Sequence, residues 1–226
     1  MLTSQRIKFI RSLQQKKYRN QEMLFVAEGA KLVHEILRSS LRVNHIYYTD
    51  GFDSYSLPQN LDSEQITNKE MGRISGLKTH TDVLAIISIP EQQFDIDDLQ
   101  NQLTLCLDDI QDPGNLGTII RLAHWFGVES IVCSPNTVDA YSPKVVQATM
   151  GAIAGVKVHY APLSGVISEA KEIGIPVMGT FLNGESIYTT KLSQAGIVVL
   201  GNEGKGISSE LAQLIPLKIS IPSFSD

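Results

Sequence analysis

The sequence of 226 residues contains only two cysteines, Cys106 and Cys133. Both fall in runs expected to be buried strands, which excludes a disulfide framework and fits a reducing cytoplasm. No apolar run reaches the roughly 18 residues that a membrane span requires. The five histidines are scattered. No Cys/His cluster has metal-ligand spacing, so no metal is expected. Met1 to Arg19 is basic and amphipathic. It lacks an apolar core followed by a small-residue cleavage site, so it does not read as a secretory signal. Internal repeats and low-complexity segments are also missing. What remains, with 42% hydrophobic residues, is the composition of a globular chain with one large domain or two modest ones.

The net charge of -5 hides an asymmetry. Residues 1–40 hold eight basic and three acidic residues, a net +5, and the remainder holds 11 basic and 21 acidic residues, a net -10. The cations Arg6, Lys8, Arg11, Lys16, Lys17 and Arg19 cluster at the start. A positive end on an acidic protein is a footprint for nucleic acid, and these six residues are the candidate RNA contacts. A solvated amphipathic helix with Ile7, Ile10 and Leu13 as its buried stripe explains the same segment equally well.

Hydrophobic periodicity divides the chain in two. The first part reads as a helix over 4–17, a strand over 24–27, a helix over 29–39 and a strand over 43–48. A loop over 50–65, a short helix over 68–75 and a buried strand over 83–89 follow. This alternation predicts a small α/β domain over 1–98. Residues 90–102, polar and acidic, read as the linker. The second domain, 99–226, alternates more regularly. Strands are expected at 103–107, 130–133, 156–159, 175–180, 197–200 and 217–221. Helices are expected at 115–126, 143–154, 163–173 and 208–214. Near-continuous apolar strands separated by helices predict a parallel sheet covered on both faces. Such sheets bind ligands beyond the carboxyl ends of their strands.

Two stretches at such strand ends stand out. Asp112-Pro113-Gly114-Asn115 is a turn sequence, and Leu116, Ile119, Ile120 and Ala123 then form an apolar helical face. Asn115 suits an N-cap or a site. Arg121, in a helix with few other charges, suits either snorkelling to solvent or an anion contact. The second stretch, Gly201-Asn202-Glu203-Gly204-Lys205-Gly206, follows the apolar run Ile197–Leu200. Three glycines in six residues let the backbone approach a ligand closely. It is not a phosphate-binding P-loop, because Gly206 and not Ser or Thr follows Lys205. It is also a poor dinucleotide fingerprint. Glu203 would repel a phosphate, which favours a ligand other than a pyrophosphate or a carboxylate that holds an arginine.

The pairing of Asn115-Leu116-Gly117-Thr118-Ile119-Ile120-Arg121 with Gly201-Asn202-Glu203-Gly204-Lys205-Gly206 resembles the SpoU (TrmH-like) class of RNA ribose 2′-O-methyltransferases. Leu217-Lys218-Ile219-Ser220-Ile221-Pro222 looks like the start of a third family motif. Phe25-Val26-Ala27-Glu28-Gly29 is similar to the small RNA-binding domain that precedes the catalytic domain in many members. The resemblance implies an α/β fold of SPOUT type: an N-terminal RNA-binding domain, then a parallel-sheet methyltransferase domain with a C-terminal trefoil knot. It implies S-adenosylmethionine as cofactor, a homodimer with the active site near the subunit interface, a cytoplasmic location, and no metal or membrane. Residue by residue, it implies Arg121, Asn115 and Glu203 as catalytic. It implies that Thr180, Leu200, Gly201, Asn202, Gly204, Ile219 and Ile221 line the cofactor. The homodimer expectation draws also on Trp125 and Phe126, which read equally well as core. Family members continue beyond the end of this sequence, Phe224-Ser225-Asp226, with a segment typically containing Ser-Leu-Asn that completes the knot and one pocket wall. Full cofactor affinity is expected to need that segment. Ribosomal RNA is the expected substrate. A fold-sharing protein that binds RNA or assists ribosome assembly without turnover is the alternative, and an unrelated nucleotide-binding α/β enzyme a weaker third.

Overall fold

The computed structural model describes residues 1–91 and 94–223. Helices are α1 (Ser4–Ser12), α2 (Lys16–Glu22), α3 (Ala30–Leu37), α4 (Asn68–Ile74), α5 (Pro113–Trp125), α6 (Pro143–Thr149), α7 (Leu163–Glu172) and α8 (Ser209–Leu214). Strands are β1 (Leu24–Glu28), β2 (Val43–Tyr48), β3 (Ser63–Gln65), β4 (Val83–Ser88), β5 (Leu103–Leu107), β6 (Ser130–Cys133), β7 (Lys157–Tyr160), β8 (Val177–Ser186), β9 (Gly196–Leu200) and β10 (Leu217–Ser220). They form two compact units: Met1–Glu91 with Asp139–Gly155, and 92–138 with Val156 onward.

The first unit is built on a four-stranded sheet in the order β1-β4-β2-β3. β4 is antiparallel to both β1 and β2, and β3 runs parallel to β2. One face carries Val26, Tyr47, Leu84 and Ile86, which pack with Ile7, Ile10 and Leu13 and with Met71 and Ile74 of α4. α3 adds Leu32, Val33 and Ile36 to the core. The segment 139–155 joins this unit far from it in sequence, with the Tyr141 ring 5.0 Å from that of Phe25.

Two expectations change here. The single helix over 4–17 is two helices, because Gln15 is extended (φ -102°, ψ 132°). The break lets Arg19 turn back, and its Nη1 donates to the Leu13 carbonyl oxygen at 2.8 Å. The loop over 50–65 contains β3, a three-residue edge strand. Ser63-Glu64-Gln65 has no apolar residue, so it carried no strand pattern.

The second unit has a six-stranded sheet in the order β10-β8-β9-β5-β6-β7, with every pairing parallel. α7 and α8 pack with Cys106, Val132, Val177, Ile197 and Val199 in one cluster. Ile96 and Leu99, assigned to the linker by sequence, belong to this core. Residues 92 and 93 of that linker, and the sequence end Phe224-Ser225-Asp226, lie outside the described residues. α5 buries Leu116, Gly117, Ile120 and Ala123. β8 runs longer than the expected 175–180. Gly179 pairs with Lys218, but the next pair in the ladder is Glu185 with Ile219, so residues 180–184 leave it. A Cβ at Gly184 would lie 2.4 Å from the Ile219 carbonyl carbon, so only glycine allows the return.

Candidate active site

From β5 the chain builds outward through β6 to β7, whereas β9 lies on the other side of β5. The strand order therefore reverses between β5 and β9, and a crevice opens beyond their carboxyl ends. Leu107 pairs with Leu200 at the last rung. The loop from Asp108 and the loop from Gly201 consequently start side by side, though they are 93 residues apart in sequence. β8 lies next to β9, with Gly179 opposite Val199. Thr180 thus emerges at the level of Leu200, and its Oγ1 donates to the Val199 carbonyl at 3.3 Å.

Asn115 and Glu203 meet in this crevice: Asn115 Nδ2 donates to Glu203 Oε1 at 2.8 Å. The helix does not start at Asn115, as the sequence suggested. Pro113 occupies the first turn, and Asp112 is the N-cap, accepting from the Asn115 N–H at 2.9 Å. The capping reading of Asn115 therefore gives way, and its amide is left to reach across to Glu203. The glycine-rich loop folds on itself. Asn202 and Gly206 exchange backbone hydrogen bonds at 3.0 and 2.9 Å. Asn202 Oδ1 accepts from the N–H groups of Gly204 and Lys205, both at 3.0 Å, and its Nδ2 donates to the Asp109 carbonyl at 2.8 Å. The Asn202 side chain is thus occupied in shaping the loop. A Cβ on Gly201 would lie 2.2 Å from the Gly206 carbonyl carbon, which explains that glycine.

Sequence reasoning missed Asp108 and Asp109. Asp108, 7% exposed, accepts from the Ser208 N–H through Oδ2 at 2.8 Å and so fixes the start of α8. Asp109 adopts a left-handed conformation (φ 58°), costly for a non-glycine residue. Its N–H donates to Ser134 Oγ at 2.9 Å, which holds the turn. An acid pair directly after an apolar strand was the available signal. With Asp112 and Glu203, these residues put four acids on the two loops, against one cation, Lys205. Ile219 is buried within β10, paired with Glu185, while Ile221, 69% exposed, stands beyond the end of that strand.

Arg121 is not brought to this pair. Six residues along a helix turn it about 120° from Asn115 and carry it about 9 Å down the axis. It is exposed and makes no hydrogen bond or ion pair among the described residues. It shares its face with Leu122 and Trp125, at helical spacing. Leu122 is 51% exposed, Trp125 83% and Phe126 74%, so neither aromatic is core.

The six N-terminal cations divide. Arg19 is a correction: it is 2% exposed, and its Nη2 and Nε donate to Asp139 Oδ2 at 2.5 and 3.1 Å. With Leu13 it is fully engaged and holds the first unit together, so it cannot reach RNA. Arg6 is half-buried, donating from Nε to the Tyr47 hydroxyl at 2.5 Å. Lys8, Arg11, Lys16 and Lys17 are exposed, Lys17 with its ammonium 5.8 Å from the Tyr18 ring centre. No helix among the described residues is long and apolar enough to cross a membrane. No group of three or more potential metal ligands occurs among them.

Residues 102–226, which include the whole β5–β9 crevice, match the model of the SpoU rRNA Methylase family. The chain belongs to this family. Residues 4–85 match the MRM3-like substrate binding domain. The 23S rRNA (guanosine(2553)-2′-O)-methyltransferase RlmP of Bacillus subtilis is 28% identical over 98% of this chain and 88% of its own length. The solved structure of a TrmH-family protein from Porphyromonas gingivalis is similar over 100% of this chain and 90% of that one, with 37% identity and a TM-score of 0.91. An AdoMet-bound rRNA methyltransferase from Sinorhizobium meliloti, 28% identical, covers 100% of this chain and 88% of its own, with a TM-score of 0.84.

Proposed function

We propose that this chain transfers a methyl group from S-adenosylmethionine to a ribose 2′-hydroxyl of ribosomal RNA. The observation that carries the reading is the 2.8 Å hydrogen bond between Asn115 and Glu203, which joins two family motifs at the switch-point crevice. When bound, the cofactor would supply an activated methyl on a sulfonium: the O–CH3 bond would form as the S–CH3 bond breaks, leaving the neutral thioether S-adenosylhomocysteine, and the hydroxyl proton would pass to solvent. The acids of the crevice favour the sulfonium cation, and no metal is needed. Thr180, Leu200, Gly201, Gly204 and Ile221 would hold the cofactor directly. Ile219 would do so through backbone and Asn202 by shaping the loop. Glu203 orients Asn115. The role of Arg121 is electrostatic: its guanidinium stabilises the developing oxyanion and holds the adjoining phosphate.

The same reading assigns 1–98 to RNA substrate binding and 99–226 to methyl transfer, with a C-terminal trefoil knot, and places the protein in the cytoplasm. It makes the protein a homodimer. Arg121 sharing an exposed face with Leu122 and Trp125 supports this, since burying that face against a second copy would put Arg121 at the interface.

The test is incubation of the chain with protein-free ribosomal RNA and tritiated S-adenosylmethionine. Label should appear in nucleotides whose ribose resists alkaline cleavage. RNA retention with no such label would favour the alternative, a fold-sharing RNA-binding or ribosome-assembly protein without turnover.

A further inference from the structure

α1 and α4 lie side by side and run in the same direction. At their starts, the Leu2 N–H donates to Glu70 Oε1 at 2.8 Å. At their ends, a Cβ on Gly76, two residues past α4, would lie 2.6 Å from Gln14 Oε1, two residues past α1. Ile7, Ile10, Met71 and Ile74 turn inward to one cluster. The outward residues are Lys8 and Arg11 on α1, three apart, and Lys69 and Arg73 on α4, four apart, all exposed. These spacings put each pair on one helix face, where like charges repel. Lys78 follows in the exposed loop after α4.

None of these five cations makes an ion pair or hydrogen bond among the described residues. α1 contains no acid, and the one acid of α4, Glu70, is taken up by the N–H groups of Leu2 and Thr67. Four uncompensated cations on one layer, with a fifth in the loop that leaves it, on a chain with net charge -5 are a local field that awaits a polyanion. Lysine and arginine side chains are the main donors to phosphate oxygens in nucleic-acid complexes.

We infer that the α1–α4 layer is the docking face for the sugar–phosphate backbone of the RNA, with Lys69, Arg73 and Lys78 sharing it with Lys8 and Arg11. The inference rests on the proposed function. It moves the RNA contact from the linear N-terminal cluster to two adjacent helices, and it excludes Arg19.

The experiment is filter binding of the full chain to protein-free large-subunit ribosomal RNA across a potassium chloride series, with cofactor titration alongside. The variants are Lys69→Gln/Arg73→Gln, Lys8→Gln/Arg11→Gln and a control, Lys144→Gln/Lys157→Gln, which removes two exposed charges elsewhere. Each face variant should lower the slope of log affinity against log salt by about 1.5, since each lost phosphate contact contributes about 0.7–0.9. Affinity at 0.1 M salt should fall about fivefold or more, with cofactor affinity and melting temperature unchanged. The control should match wild type. A steep wild-type slope retained by Lys69→Gln/Arg73→Gln, or lost equally in the control, overturns the assignment of this face. A wild-type chain that shows no salt-dependent RNA binding overturns the functional reading itself, and this inference with it.

Discussion

Arg121 stands apart from the residues that resemblance grouped it with. Glu203 takes Asn115 as its partner, and the arginine points from another face of α5 without a counter-charge. Its removal should therefore leave the folded crevice intact and affect transfer alone. Arg121→Ala is expected to lower the single-turnover methyl-transfer rate by about 100-fold or more, the scale for losing a preorganised charge donor. Cofactor affinity should change by less than about 1 kcal/mol, since this residue contributes in the transition state and not to uniform binding. Arg121→Lys should not restore the rate, because an ammonium lacks the planar two-pronged donor geometry. Near-normal turnover in Arg121→Ala would make it a surface residue. The opposite case is Arg19, identical in type and read from sequence as an RNA contact. Asp139, 120 residues away, decides its fate. The thiols also differ from reactive cysteines: burial pushes Cys106 up to about 12 and raises Cys133 as well, so both stay protonated and inert.

α4 shows how a short helix of seven residues holds its place on the sheet. Thr67 caps it by accepting from the Glu70 N–H, and Glu70 returns the bond to the Thr67 N–H at 3.0 Å. The Thr67 and Leu2 N–H groups hold the Glu70 carboxyl down at about 2 against an ordinary 4.5. The charged form is thus favoured by folding. Its contribution is fully present above about 4.5 and is lost as pH falls from there through about 2. Urea midpoints of the wild type and Glu70→Gln should therefore differ most above pH 4.5 and converge towards pH 2. A difference that stays flat with pH would show that the capping bond is not ionic. Thr67→Ala, which removes the other half, should cost about 1 kcal/mol above pH 4.5 and less towards pH 2, because the Thr67 hydroxyl also donates to the Glu70 carboxylate at 2.8 Å.

For the whole molecule the decisive feature is the exposed stripe on α5. Trp125 and Phe126 are 83% and 74% exposed at the end of the helix that carries Asn115 and Arg121. In the proposed homodimer, these exposed aromatics are the surface that a second copy covers. Trp125→Ser/Phe126→Ser should convert a sedimenting dimer to monomer at micromolar concentration, with the fold retained and methyl transfer reduced together with dimer content. A wild-type chain that already sediments as a monomer at that concentration would remove the dimer from the proposal.

The sequence by itself determined the two α/β parts, the buried strands and the identity of both crevice loops. Those features are local: apolar runs of strand length, turn residues at their ends and motif spacing are properties of consecutive residues. β5 and β6 appear at the residues that periodicity marked. Tertiary structure alone decided how distant segments are used. It set the sheet order that places β9 beside β5, and with it the Asn115–Glu203 contact. It withdrew Arg19 into the core of the first unit, broke the first helix at Gln15, and took segment 139–155 into that unit. It also exposed Trp125 and Phe126, which the sequence fitted equally well to a core. The physical reason is common to all of these. A charge or an aromatic ring has no fixed value along the chain, and its partner or its exposure is set by whichever surface folding brings opposite it.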